Sequence, residues 1–119
     1  MARKDLCAQA LAIGKYVMGA FYVQEGNLTH WRMRAGLQLP EPEKVGALMF
    51  QRTLIHSMLK MREEYVGRMH FAMSSYEQMD IFHFGIDNKP TILLVTVSHP
   101  YDIHEFVPKV IRMISRAGS

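Results

Sequence analysis

The chain has 119 residues, 49% of them hydrophobic and 21% charged, with no low-complexity run; this is the balance of one globular domain over residues 1–119 and excludes a disordered chain. Fourteen Lys and Arg against eleven Asp and Glu leave a net charge of +3, but the bases are interleaved with the acids, which favours a solvated basic surface over a nucleic-acid site. The single cysteine, Cys7, excludes an internal disulfide and points to a reducing compartment. The best apolar run, Tyr16 to Val23, is too short to span a bilayer, so the protein is expected to be soluble and cytoplasmic.

Lys4 to about Ala12 carries Leu6, Ala10, Leu11 and Ile13 at helical spacing, a short amphipathic helix ended by Gly14. Tyr16 to Gln24 turns to Val, Phe and Tyr, and Leu28 to Met33 does so again beyond Glu25-Gly26-Asn27, which predicts a hairpin. Arg34 to Leu39 is a loop punctuated by Gly36 and Pro40.

Glu41 to about Tyr65 is the longest stretch of helical period. Pro40 and Pro42 preset its entry, Glu41 and Glu43 suit its N-terminal dipole, and Gly67 can close it. Ala47, Phe50, Leu54, Met58, Met61 and Tyr65 form one stripe without a polar gap, whereas a second row, Val45, Leu48 or Met49, Ile55 and Leu59, is interrupted by Arg52, His56 and Arg62. A packed sheet accounts for the better stripe. The weaker row needs another cover, and a second copy of the chain is the economical one, with helices from the two chain ends as the alternative.

Arg68 to Ser75 alternates Met69, Phe71 and Met73 against His70, Ala72 and Ser74, a half-buried strand. Gln78 to Ile86 follows, with Phe82, Phe84 and Ile86 on one face; no Asn-Gly or Asp-Gly pair between the two fixes their register. Asp87-Asn88-Lys89-Pro90 is a turn signal, and Thr91 to Ser98 reads as a central strand buried on both faces. The last stretch, to Arg116, has helical spacing, with Pro108 expected in the first turn of the helix proper and Asp102 to Glu105 as a looser lead-in. The fold class is therefore α+β, a five-stranded antiparallel sheet with helices on both faces in the order α-β-β-α-β-β-β-α. Its fifth strand is expected in the middle and its third at an edge.

That order resembles the roadblock/dynein light chain family, of the profilin-like and longin-like folds, over nearly the whole chain. Gly67 to Tyr76 and the Ile92-Leu93-Leu94-Val95 strand also resemble a small archaeal domain group of the same type. The resemblance implies a homodimer in which the long helices pair and the third strands join two sheets. The shared surface would then bind other proteins, often small Ras-like GTPases or their regulators. The residues expected at such a dimer interface are Val45, Leu48, Met49, Arg52, Ile55, His56 and Leu59 on the helix and Met69, Phe71 and Met73 on the strand.

Catalytic signatures are missing from the sequence. No GxxxxGK, GxGxxG, GxSxG or CxxC occurs, and His104-Glu105 opens a zincin-like pattern only to meet Pro108 where the second His should stand. Cys7 sits in an apolar helical context that suits a structural thiol. His70 and His83 would face each other across a two-residue hairpin loop, with His30 nearby, as nitrogen ligands for a metal; scattered strand histidines are more often packing residues. No catalytic residue, cofactor or metal is expected. The leading expectation is a non-enzymatic interaction module, the alternative a profilin- or PAS-like small-molecule sensor.

Overall fold

A computed structural model of the chain describes residues 6–86 and 90–117. The turn signal at Asp87-Asn88-Lys89 and the start of the first helix lie outside these. The elements are α1 (Leu6–Ala12), β1 (Val17–Gln24), β2 (Asn27–Met33), α2 (Pro42–Lys60), α3 (Glu63–Val66), β3 (Ala72–Ser75), β4 (Met79–Gly85), β5 (Thr91–Ser98) and α4 (Ile103–Ala117). One antiparallel sheet runs β2-β1-β5-β4-β3. As the sequence predicts, the most apolar strand, β5, is central and β3 lies at an edge. β2 forms the other edge.

Gln24 pairs with Asn27, so the first hairpin turns on Glu25 and Gly26 alone. Both have positive φ, 51° and 86°, the backbone that lets a two-residue turn follow the strand twist. Across the sheet, Ala20, Tyr22, Phe82, Phe84, Leu93 and Val95 face α1 and α4, where Leu6, Cys7, Phe106 and Val110 complete the main core. Phe21, Val23, Ile92 and Leu94 face the other way, toward α2, which contributes only Met49 as a buried apolar side chain with Val45 packed beside it. The layers are therefore unequal.

Three elements differ from the sequence reading. The long helix stops at Lys60, and Met61 and Arg62 make a turn before α3. Glu63 and Glu64, misplaced at the end of one long helix, instead occupy the first turn of a second, where acids are favoured. Gly67, at φ 93°, closes α3 with its N–H on the Glu63 carbonyl, and Glu63 Oε2 accepts the Met69 N–H at 2.8 Å. β3 consequently starts at Ala72 and not at Arg68.

The third difference is in α4, which begins at Ile103 and runs through Pro108. Asp102 sets the start: its carboxylate accepts the His104 N–H at 2.9 Å and its carbonyl accepts those of Glu105 and Phe106. The carbonyl that Pro108 leaves without an N–H belongs to His104, an exposed residue, at a place where solvent can supply the missing donor. Asp102→Ala is expected to lower stability by about 1 kcal/mol, read as a small drop in the urea midpoint with an unchanged slope.

Candidate functional site

Successive helical residues turn by about 100°, so Met49, Arg52 and His56 share one side of α2 while Ala47, Phe50, Leu54 and Met58 share the opposite one. The structure seats the first set on the sheet: all three are buried. The ungapped stripe points outward, with Phe50, Leu54, Met58, Met61 and Tyr65 at 58, 48, 65, 74 and 82% exposure. Leu48, Ile55 and Leu59 are exposed along its flank, and Val66 extends it on α3. The ungapped stripe thus faces outward and not onto the sheet as the sequence reading expects, and of the weaker row only Met49, with Arg52 and His56, turns inward.

The reason lies in what the sheet offers at that place. Arg52 donates through Nη1 to Ser74 Oγ at 2.9 Å and through Nη2 to the Tyr76 hydroxyl at 2.9 Å; its Nη1 is also 3.3 Å from His83 Nε2. β3 and β4 supply polar partners under α2, so a row broken by Arg52 and His56 fits there better than a wholly apolar one. With Arg52 donating, His83 accepts at Nε2, which requires the Nδ1–H tautomer. Burial first, then Arg52 and His56, hold the His83 pKa down to about 4. His56, 6.2 Å away between ring centres, is also lowered, by burial and then by Lys60, against the opposing pull of Glu63.

Of the ten residues expected at a dimer interface, Met49, Arg52 and His56 are thereby corrected to the chain's own interior and Val45 is half-buried. Leu48, Ile55 and Leu59 remain on the accessible flank. Leu59 meets Met69, Phe71 and Met73 along one cleft of about 410 Å³ at the free edge of β3, with Arg62 and Arg68 also lining it. Phe71 is not presented outward but packs on Phe82 and Phe84, with ring centres 5.8 and 6.0 Å apart. Met73, paired with Phe82 across the ladder, is on the α4 side of the sheet. The residues the sequence reading missed are Phe50, Leu54, Met58, Met61, Tyr65 and Val66. The presence of two cationic or polar-seeking positions, Arg52 and His56, in the other row was the available signal that such a row has polar partners.

His30, His70 and His83 do not converge. Ala72, and not His70, lies opposite His83, because the loop is Glu77-Gln78, one residue later than a His70–His83 pairing requires. His70 is exposed, and His30, opposite Tyr22, shares the α1 side of the sheet. Among the described residues no three His, Cys, Asp or Glu are grouped to hold a metal. Cys7 is fully buried and burial pushes its thiol up to about 11, far from thiolate chemistry at neutral pH.

A second polar cluster lies across the sheet. Asp80 accepts from Ser75 Oγ at 2.6 Å, His99 Nε2 at 2.9 Å and the Tyr101 hydroxyl. Burial raises the Asp80 pKa, but these three hydrogen bonds and the His99 charge outweigh it and leave the carboxyl below its ordinary range. The cluster ties the β3–β4 hairpin to the lead into α4, where Tyr101 stacks on Tyr16 with ring centres 5.7 Å apart. That is a structural clamp.

No helix among the described residues is long and apolar enough to cross a membrane. No family model matches the chain and no curated protein matches its sequence. Solved structures do match its shape. A Roadblock/LC7 domain from Streptomyces avermitilis superposes with a TM-score of 0.73 at 11% identity, over 95% of this chain and 92% of that one. The gliding protein MglB from Thermus thermophilus superposes with a TM-score of 0.73 at 9% identity, over 98% and 87%. An MglB with a tetrameric arrangement gives 0.67 at 10% identity, over 95% and 88%. The chain has the roadblock-like α+β fold.

Proposed function

We propose that the protein is a non-enzymatic, cytoplasmic interaction module that acts as a homodimer and binds a small Ras-like GTPase or a regulator of one. The observation that carries this reading is the outer face of α2 and α3, where Phe50, Leu54, Met58, Met61, Tyr65 and Val66 are all exposed, with Leu48, Ile55 and Leu59 exposed on its flank. A soluble monomer rarely shows so large a patch. A two-fold axis through it brings the same residues from both copies together.

Magnitudes set how much of the surface must be covered. Each half-exposed side chain gains on the order of 1 kcal/mol on burial, against an association cost of about 4–15 kcal/mol. A stable pair therefore uses most of the stripe on both copies and not one or two residues of it. The free edge of β3, beside the same helix, is placed to extend the contact. The tetrameric arrangement of the similar MglB is consistent with self-association.

The GTPase half of the proposal is tested by calorimetric titration of the purified protein with Ras-like GTPases of the same cell, each loaded with GDP or a GTP analogue. Saturable, nucleotide-dependent heat is the expected result for at least one of them. Heats at the level of dilution for all of them in both states contradict it.

A further inference from the structure

We propose that the seat of α2 on its own sheet is an acid-sensitive catch: proton uptake at His56 and His83 loosens α2 while the sheet and the α1–α4 layer stay folded. Its consequence for assembly rests on the homodimer reading, because α2 carries the dimer face. The loosening itself does not.

The geometry is that of a basic cluster closed inside a helix–sheet contact. Arg52, His56 and His83 lie together, the two imidazoles 6.2 Å apart and Arg52 Nη1 3.3 Å from His83 Nε2. Among the described residues no carboxylate is bonded to any of the three. The Nδ1 atoms of both His56 and His83 are buried without a partner, so no acceptor there stabilises a charged ring, and a second proton on His83 Nε2 would face the Arg52 donor. An imidazolium formed in this place is desolvated next to a fixed guanidinium.

The surrounding groups do little to relieve it. On α2, Lys60 opposes a further positive charge, and on α3 Glu63 favours it, the weaker of the two influences on His56. From β3, the Ser74 hydroxyl already accepts from Arg52, as does that of Tyr76 just beyond it. β1 and β5 present Phe21, Val23, Ile92 and Leu94 to this layer.

The sign follows. Both histidines have folded values below the ordinary 6.5, His83 near 4, so the protein binds more protons with α2 released than with it seated. The proton-linked part of the seating energy is complete above about pH 6.5 and is lost as the pH falls toward 4. Asp80, on the other face and held below the ordinary carboxylate range, keeps its charge through that window. α2 is the element that lets go because five buried apolar residues make its layer, against sixteen on the α1–α4 side.

Hydrogen exchange on the intact protein at pH 7.5 and 5.0, corrected for the intrinsic pH dependence, tests this, with light scattering on the same samples. The expected result is a loss of at least tenfold in protection for α2 relative to β5 at pH 5.0, with dissociation of the dimer. His56→Gln with His83→Gln, which cannot take up the protons, is expected to abolish the change. Should the double variant not fold, Arg52→Met provides the second arm: loss of its hydrogen bonds lowers α2 protection at both pH values, but without the guanidinium the protonated rings are less disfavoured, so the additional loss between pH 7.5 and 5.0 shrinks.

Unchanged α2 protection in the wild type, or an equal loss in a folded double variant, overturns the catch. A chain already monomeric at pH 7.5 overturns the dimer reading alone, and the exchange data then decide the catch without it. A dimer that persists at pH 5.0 with α2 loosened overturns their coupling.

Discussion

Leu54→Glu combined with Met58→Glu is expected to give a folded monomer. Both side chains lie on the outward face of α2, 48 and 65% exposed, opposite the row formed by Met49, Arg52 and His56, so neither carboxylate enters the core. In a two-fold pair each meets its symmetry copy, and burying like charges together is far more costly than leaving them in water. The measured mass is expected to fall to that of one 13.7 kDa chain, with the far-ultraviolet spectrum unchanged. An equal substitution at exposed Ala8 on α1 is expected to leave the mass as it is. A variant that loses its secondary structure along with its mass contradicts the assignment of these residues to a surface.

Phe82→Ala is expected to cost about 3–5 kcal/mol, a large part of the roughly 5–15 kcal/mol that holds a domain of this size folded. Phe82 is fully buried at the middle of an aromatic group, with its ring centre 5.0 Å from that of Phe106, 5.8 Å from that of Phe71 and 5.9 Å from that of Phe84. It bridges the sheet to α4 and to the segment before β3, so no single neighbour can move to fill the space. Denaturant unfolding with a slope like that of the wild type reads the loss directly. Phe50→Ala, the same chemical change on the outer face of α2, is expected to cost far less in the monomer and to act mainly on association.

The contrast between those two phenylalanines also shows where the sequence was informative. Strand and helix order was legible because the periods change cleanly, from alternation in Met69–Ser75 to the continuous apolar run of Thr91–Ser98, and the central place of β5 followed from that run. The β3–β4 register was not legible. Its two-residue loop, Glu77-Gln78, has neither residue at positive φ, so no Asn-Gly or Asp-Gly marked it.

The orientation of α2 was the larger miss, and its cause is physical. Periodicity identifies which residues share a face, but which face turns inward depends on what the sheet presents. Here Ser74, Tyr76 and His83, far away in sequence, accept from Arg52, and Gly85 leaves room for the His56 ring. A helix with apolar residues on two sides has no internal preference strong enough to decide the matter. The end of α2 at Lys60 was hidden for a related reason: Glu63 and Glu64 were unfavourable for a long helix, and read instead as the start of a new one they are favourable.

Sedimentation equilibrium of the wild-type protein at neutral pH, over low to tens of micromolar concentration, tests most directly the proposition that the apolar side of α2 is covered by another copy of the chain. The account predicts a mass twice that of the 13.7 kDa chain at the upper concentrations. A single species at 13.7 kDa throughout that range, with Phe50, Leu54, Met58, Met61 and Tyr65 left in water, contradicts it.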